Sequence, residues 1–171
     1  MSAASHIHVR QLEIGDFDFV RALAAQQPNF TVPPPYVLWL MIRIKDAVCI
    51  VAEHSTDGLL AYLLAVPIEG PNRALFVWQL AASTEGQRRN AILAILTAGR
   101  RIARKLQIAA IVFSTIPSSP ALRLIRRYTR KVFSAVPEPT STIPSLVCQH
   151  EKEYRLELTT SKRRSPKPRK N

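Results

Sequence analysis

Apolar residues recur along this chain in two rhythms. Over His6 to Leu12 (HIHVRQL) they alternate, which predicts a first strand. From Phe17 the spacing lengthens: Phe17, Val20, Leu23 and Ala24 share one side of a short helix ending near Gln27, with Asp16 placed to cap it. PNFTVPPP is a loop, because three consecutive prolines stop both helix and sheet. Tyr36 to Lys45 (YVLWLMIRIK) reads as a second helix. Val48 to Glu53 and Leu59 to Pro67 are apolar runs on either side of Ser55-Thr56-Asp57-Gly58, the pattern of two strands and a hairpin turn. After a turn at Glu69 to Arg73 come a strand at Ala74 to Ala81 and the longest helix, Glu85 to Leu106. Ala109 to Thr115 is a further strand. Pro117 to Pro120 breaks it and supplies serines that can cap a helix over Ala121 to Phe133. A Pro/Ser/Thr-rich loop follows, and Glu153 to Leu158 alternates as the last strand.

The order is β-αα-βββ-α-β-α-β. It predicts an α/β (α+β) domain over residues 1–158, with a mixed, mostly antiparallel sheet and helices on both faces. Residues 159–171, TTSKRRSPKPRKN, are polar and basic and are expected to be a disordered tail.

Charge sharpens the picture. Lys and Arg number 24 against 12 acids, a formal charge of +12, which favours polyanionic ligands. Six of these cations lie in Lys162 to Lys170, and nine in Arg100 to Lys131. Arg100/Arg104, Arg101/Lys105, Arg123/Arg127 and Arg126/Arg130 recur at i, i+4, so two helices carry basic stripes. The stripes could recruit a cofactor's phosphates, face RNA or DNA together with the tail, or simply be solvated. No nucleic-acid-binding motif supports the second reading. Two cysteines without a CxxC pair, a start without an apolar signal core, and apolar runs too short to span a bilayer predict a reduced, cytoplasmic, non-membrane protein. Cys49 reads as a small buried hydrophobe. The four histidines lack metal-ligand spacing with acids or cysteines, so no metal site is expected.

The stretch ALFVWQLAASTEGQRRNAILAIL, Ala74 to Leu96, passes from strand through a turn into the long helix. A helix N-terminus offers unpaired N–H groups and partial positive charge, so such a junction can hold a phosphate. By itself EGQRR reads equally as an ordinary polar helix start with solvated arginines.

The surrounding motifs give the junction its context. Phe76-Val77-Trp78-Gln79-Leu80-Ala81, Tyr36-Val37-Leu38, Val51-Ala52-Glu53 and His150-Glu151 with Tyr154-Arg155-Leu156 stand in this order. Together they resemble the GNAT N-acetyltransferase superfamily, and within it the diaminobutyrate acetyltransferases of ectoine biosynthesis, over roughly His6 to Leu158. The resemblance implies transfer of acetyl from acetyl-CoA to a primary amine of a small molecule, with a homodimer as a usual assembly. It implies that Leu80, Ala81 and Ala82 offer backbone to the cofactor arm and thioester. Its pyrophosphate would meet Gly86, Gln87, Arg88, Arg89, Asn90 and Ala91, with Ser118 nearby. In one register Arg88 and Asn90 stand where the superfamily usually has glycine, and in a register three residues on Ala91 and Leu93 do, so neither restores the glycine pair. Two arginine side chains can replace backbone donors; they can also block the cradle, leaving a non-catalytic ligand- or nucleic-acid-binding module. Glu53 and Glu151 are candidate bases and Tyr128 a candidate acid, one turn beyond Ile125, which occupies the superfamily's usual tyrosine position. Thr31, Tyr36, Trp78 and Glu151 are candidate acceptor contacts; Thr31 takes the place of an acidic residue in the diaminobutyrate enzymes. For Tyr128 and Trp78 plain core packing is the competing reading, and for Glu151 a solvated surface position.

Overall fold

A computed structural model describes residues 7–70, 72–83, 88–140 and 151–158. The elements run β1 (Ile7–Gln11), α1 (Phe17–Ala25), α2 (Pro35–Met41), β2 (Val48–His54), β3 (Gly58–Ile68), β4 (Ala74–Ala82), α3 (Arg88–Lys105), β5 (Ala110–Thr115), α4 (Pro120–Phe133), β6 (Glu138–Pro139) and β7 (Lys152–Glu157). Seven strands form one sheet in the order β1-β2-β3-β4-β5-β7-β6. Every neighbouring pair is antiparallel except β4 and β5. The α3 crossover makes that one parallel join possible, since parallel strands cannot be linked by a tight turn.

Successive side chains of the apolar runs go to opposite faces of the sheet. Val48, Ile50 and Ala52 of β2 pack with Leu63, Leu75 and the buried stripe Ala91, Ile95 and Ala103 of α3. Cys49 and Val51 face the other way, with Tyr62 and Leu64, and are covered by Val20, Leu23, Leu38 and Met41 of α1 and α2. α4 joins the α3 side: Leu122 packs on Phe113 and Tyr154, and Val132 and Phe133 on Leu156. Burying a side chain such as Ile95, which is fully enclosed, contributes about 1.5–3 kcal/mol.

Three local expectations are corrected. α2 stops at Met41 rather than Lys45: Arg43 and Ile44 donate to Leu40 and Met41 as tight turns, and Asp46, at φ 64°, turns the chain toward β2. Asp16 precedes α1 but its carboxylate caps no helical N–H there. It accepts from the Glu13 amide at 2.8 Å and from both terminal nitrogens of Arg10, at 2.7 and 2.9 Å. Finally, the Pro/Ser/Thr-rich stretch contains a strand, β6, which pairs through Glu138 and Pro139 with Arg155 and Tyr154 of β7. Two residues with a proline carry no alternation to read, and proline is tolerated there because the strand is an edge.

Candidate functional site

β4 and β5 pair only at their beginnings. The register runs from Ala74 opposite Ala110 to Val77 opposite Phe113 and ends there. β5 goes on as Ser114 and Thr115, paired to Glu153 and Lys152 of β7. β4 goes on to Ala82, paired to Ala61 of β3. Among the described residues the two strands therefore diverge beyond Val77 and Phe113, and a V opens between them.

A β-bulge sits at the fork. Leu64 opposes Gln79 but Ala65 opposes Val77, so Trp78 is the extra residue on β4. An extra residue breaks the alternation of faces. Trp78 and Gln79 accordingly both turn toward the α1/α2 side, where Trp78 packs half-buried on the core and Gln79 lies buried. The apex is apolar, formed by Val77, Phe113, Leu122, Ile125 and Tyr154. The V opens toward the end of β4, from which the chain passes within six residues to the start of α3.

Gln79 links the sheet to the loop before α2. The Tyr62 hydroxyl donates to Gln79 Oε1 at 2.9 Å, and Gln79 Nε2 donates to the Thr31 carbonyl at 2.7 Å. Tyr62 is fully buried, and burial pushes its phenol well above the ordinary range. It acts as a neutral donor. The Thr31 side chain is exposed. On the far arm of the V, the Ser114 hydroxyl donates to Glu151 Oε2 at 2.6 Å, holding a half-buried carboxylate at the point where β5 leaves β4. Neither Gln79 nor Ser114 stood out as a site residue in the sequence. Their signal was a lone polar side chain inside an otherwise apolar strand for Gln79, and a polar one near the end of such a strand for Ser114.

The other candidates are dispersed. Glu53 does not join Glu151: β3 and β4 lie between its strand and the V, and its carboxylate accepts from Arg10 Nε at 3.0 Å. Tyr36 is 67% exposed, its ring stacked on Trp39 with centroids 6.0 Å apart, so it stands on the surface beside the Thr31 loop. Tyr128 is half-buried and lies eight residues beyond the start of α4, about 12 Å along the helix from its mouth-side end. Ile125, one turn nearer, packs at the apex itself. Ser118 is exposed in the turn before α4; Ser119 is the residue that caps, accepting from the Ala121 amide at 3.0 Å. Leu80, Ala81 and Ala82 lie on the splayed part of β4. Arg88 begins α3 in line with the sheet-facing Ala91 and Ile95 and is half-buried, while Arg89 and Asn90 are exposed. Gly86 and Gln87 lie outside the described residues.

Comparison with solved structures identifies the architecture. Diaminobutyrate acetyltransferase EctA from Paenibacillus lautus, in complex with L-2,4-diaminobutyric acid and coenzyme A, superposes with a TM-score of 0.74 at 21% identity, covering 91% of this chain and 96% of that one. The chain has the GNAT acetyltransferase fold. Ard1 from Thermoplasma volcanium matches with a TM-score of 0.68 at 11% identity over 88% of this chain and 95% of that one. The ribosomal-protein-S18-alanine N-acetyltransferase from Escherichia coli matches with 0.66 at 10% identity, over 94% and 99%. No protein-family model matches the sequence, and a search of curated proteins finds no significant match. Within this GNAT fold, no group of three His, Cys, Asp or Glu among the described residues could hold a metal ion. No helix among them is long and apolar enough to cross a membrane.

Proposed function

We propose that this chain transfers an acetyl group from acetyl-CoA to a primary amine of a small molecule, a diamine or amino acid of the diaminobutyrate kind. The observation that carries the reading is the V between β4 and β5, bulged at Trp78 and opening beside the start of α3. An acyl donor on a thin tether needs such a slot. Unpaired main-chain groups line it, and a helix N-terminus stands beyond it for the diphosphate.

The chain's own groups divide the work. Backbone N–H groups of the Leu80–Ala82 segment hold the thioester oxygen as it gains charge. Arg88 and Arg89 supply side-chain cations where glycine usually lets backbone approach, so diphosphate is held by guanidinium as well as by the helix end. Glu151, fixed by Ser114, holds the acceptor's ammonium and takes its proton, directly or through water. The freed amine attacks the carbonyl carbon, the new C–N bond forms, the C–S bond breaks, and the thiolate leaves to be protonated. Thr31, Tyr36 and Trp78 border the acceptor's approach, with Gln79 fixing the loop. Glu53, occupied by Arg10, is the weaker candidate for base. Tyr128 is the remaining candidate for acid.

A second reading keeps the fold and loses the catalysis; the side chains of Arg88 and Asn90 at the usual glycine positions favour it. Two measurements separate the readings. Acetyl-CoA at about 100 times its dissociation constant adds about 2.7 kcal/mol to stability, a clear rise in Tm. No shift at millimolar cofactor removes both the transferase and the cofactor-binding module. A shift without thiol release across a panel of diamines leaves only the module. Arg88→Glu with Arg89→Glu abolishes the shift if the arginines hold diphosphate; an unchanged shift moves the phosphate elsewhere.

A further inference from the structure

The face of the molecule built by α3 and α4 carries one sign of charge. α3 has six Lys/Arg and α4 has five, and neither helix contains an Asp or Glu. The two pack side by side: Arg100 of α3 donates to the Val132 carbonyl at the end of α4, 2.5 Å away. That contact uses Arg100 as a cap for α4, and Arg126 lies 5.9 Å from the Tyr154 ring. Arg101, Arg104, Arg123, Arg127, Arg130 and Lys131 are exposed and enter no ion pair among the described residues. Outside α3 and α4 most of the described arginines are paired, Arg43 lying instead over the Trp39 ring. Arg10, Arg21, Arg73 and Arg155 each face a carboxylate. Like charges at i, i+4 destabilise a helix by a few tenths of a kcal/mol per pair. A face that accumulates them without a single acid is therefore built against its own stability.

We infer that the α3/α4 face binds the phosphodiester backbone of a nucleic acid, without reading its sequence, as a function separate from acetyl transfer. Charge complementarity selects the partner class. Of the six exposed, unpaired cations just named, five are arginine, whose fork matches phosphate oxygens in pairs. A membrane would need apolar side chains beside the cations. Of the large exposed apolar residues only Leu124 lies on either helix, whereas Tyr36 and Leu40 belong to α2, on the opposite side of the sheet. A duplex offers a phosphate every ~1.7 Å along its axis, dense enough to engage both helices at once.

The test is fluorescence anisotropy of the full chain with a labelled random-sequence duplex of about 20 base pairs, between ~50 and 200 mM KCl. The comparison is Arg104→Gln/Arg127→Gln/Arg130→Gln, whose fold is checked by circular dichroism and Tm. Because these side chains are exposed and like-charge pairs are relieved, the variant's Tm equals or slightly exceeds the parent's, and its acetyl-CoA thermal shift stays that of the parent. The expected result is salt-dependent binding by the parent, an affinity loss of at least about tenfold in the variant, and a log–log salt slope shallower by about 3. Unchanged affinity in the variant overturns the inference and leaves the cations after Leu158 as the binding element. Full displacement of the duplex by acetyl-CoA overturns it by moving the contact to the cofactor mouth. Tighter binding to anionic phosphatidylserine vesicles than to the duplex overturns it in favour of a membrane. A failed acetyl-CoA shift in the parent touches only the transferase reading and leaves this one standing.

Discussion

Replacing Gln79 with methionine tests how the loop before α2 is held. Gln79 is 4% exposed, and its amide joins the Tyr62 hydroxyl to the Thr31 carbonyl at 2.9 and 2.7 Å. Methionine keeps the volume and removes both partners. The Tyr62 hydroxyl, in a fully buried residue, is then left unpaired, which costs about 1–3 kcal/mol. Loss of the second hydrogen bond, whose acceptor lies nearer solvent, adds about 0.5–1.5 kcal/mol. The sum is roughly 2–4 kcal/mol, a fall in Tm of about 5–15 °C for a chain of this size. Tyr62→Phe alone strands Gln79 Oε1 and costs about 1–2 kcal/mol. The double variant Tyr62→Phe/Gln79→Met has no stranded hydroxyl, so it regains about 1–2 kcal/mol relative to Gln79→Met. Urea titrations of the parent, both single variants and the double variant measure the cycle. With acetyl-CoA saturating, the Gln79 variant also raises KM for the amine more than it lowers kcat, because the loop bearing Thr31 is released. A double variant no more stable than Gln79→Met refutes the linkage, whatever the single values are.

Other outcomes follow from the same structure. Asp16 is held below the usual carboxylate range by the Arg10 hydrogen bond, against the opposing effect of burial. Its folded pKa is depressed, so its stabilisation is present above the unfolded value of about 3.9 and is lost as pH falls through the folded value. Asp16→Asn therefore lowers Tm at pH 7 and flattens the acid limb of the stability curve below about pH 4; an acid limb parallel to the parent's rejects this. Glu151→Gln lowers kcat/KM for the amine by about 100-fold or more while leaving the acetyl-CoA thermal shift unchanged, and Ser114→Ala has a milder effect of the same kind. Steady-state kinetics with equal rates for parent and Glu151→Gln removes Glu151 from the chemistry. Burial pushes the Cys49 thiol up to about 11. At pH 8 roughly one molecule in a thousand holds the thiolate there, so a Cys148→Ser chain reacts with Ellman's reagent only when urea is added; prompt labelling in buffer contradicts the buried placement.

The path from sequence to fold was short where periodicity was strong. The apolar run Val48 to Glu53 marks a strand buried on both faces, and the helical stripe Phe17, Val20, Leu23 and Ala24 names the side that α1 buries. The arginine pair Arg88-Arg89 after Gly86, and the acid-free stripes on α3 and α4, are also plain in the letters. These features depend on residue type at near spacing, which a linear chain displays directly.

What the letters could not display was anything joining distant segments. The end of pairing at Val77 and Phe113, the bulge that turns Trp78 and Gln79 to one side, and the β6 strand are properties of two segments of the chain lying together. So are the partners that decide each candidate's role: Ser114 on Glu151, Arg10 on Glu53 and Gln79 on Thr31, separated by 37, 43 and 48 positions. Sequence fixes which side chains can ionise, donate or pack. Only the closed sheet decides which of them meet, because hydrogen bonding and burial act over a few ångströms of space and take no account of distance along the chain.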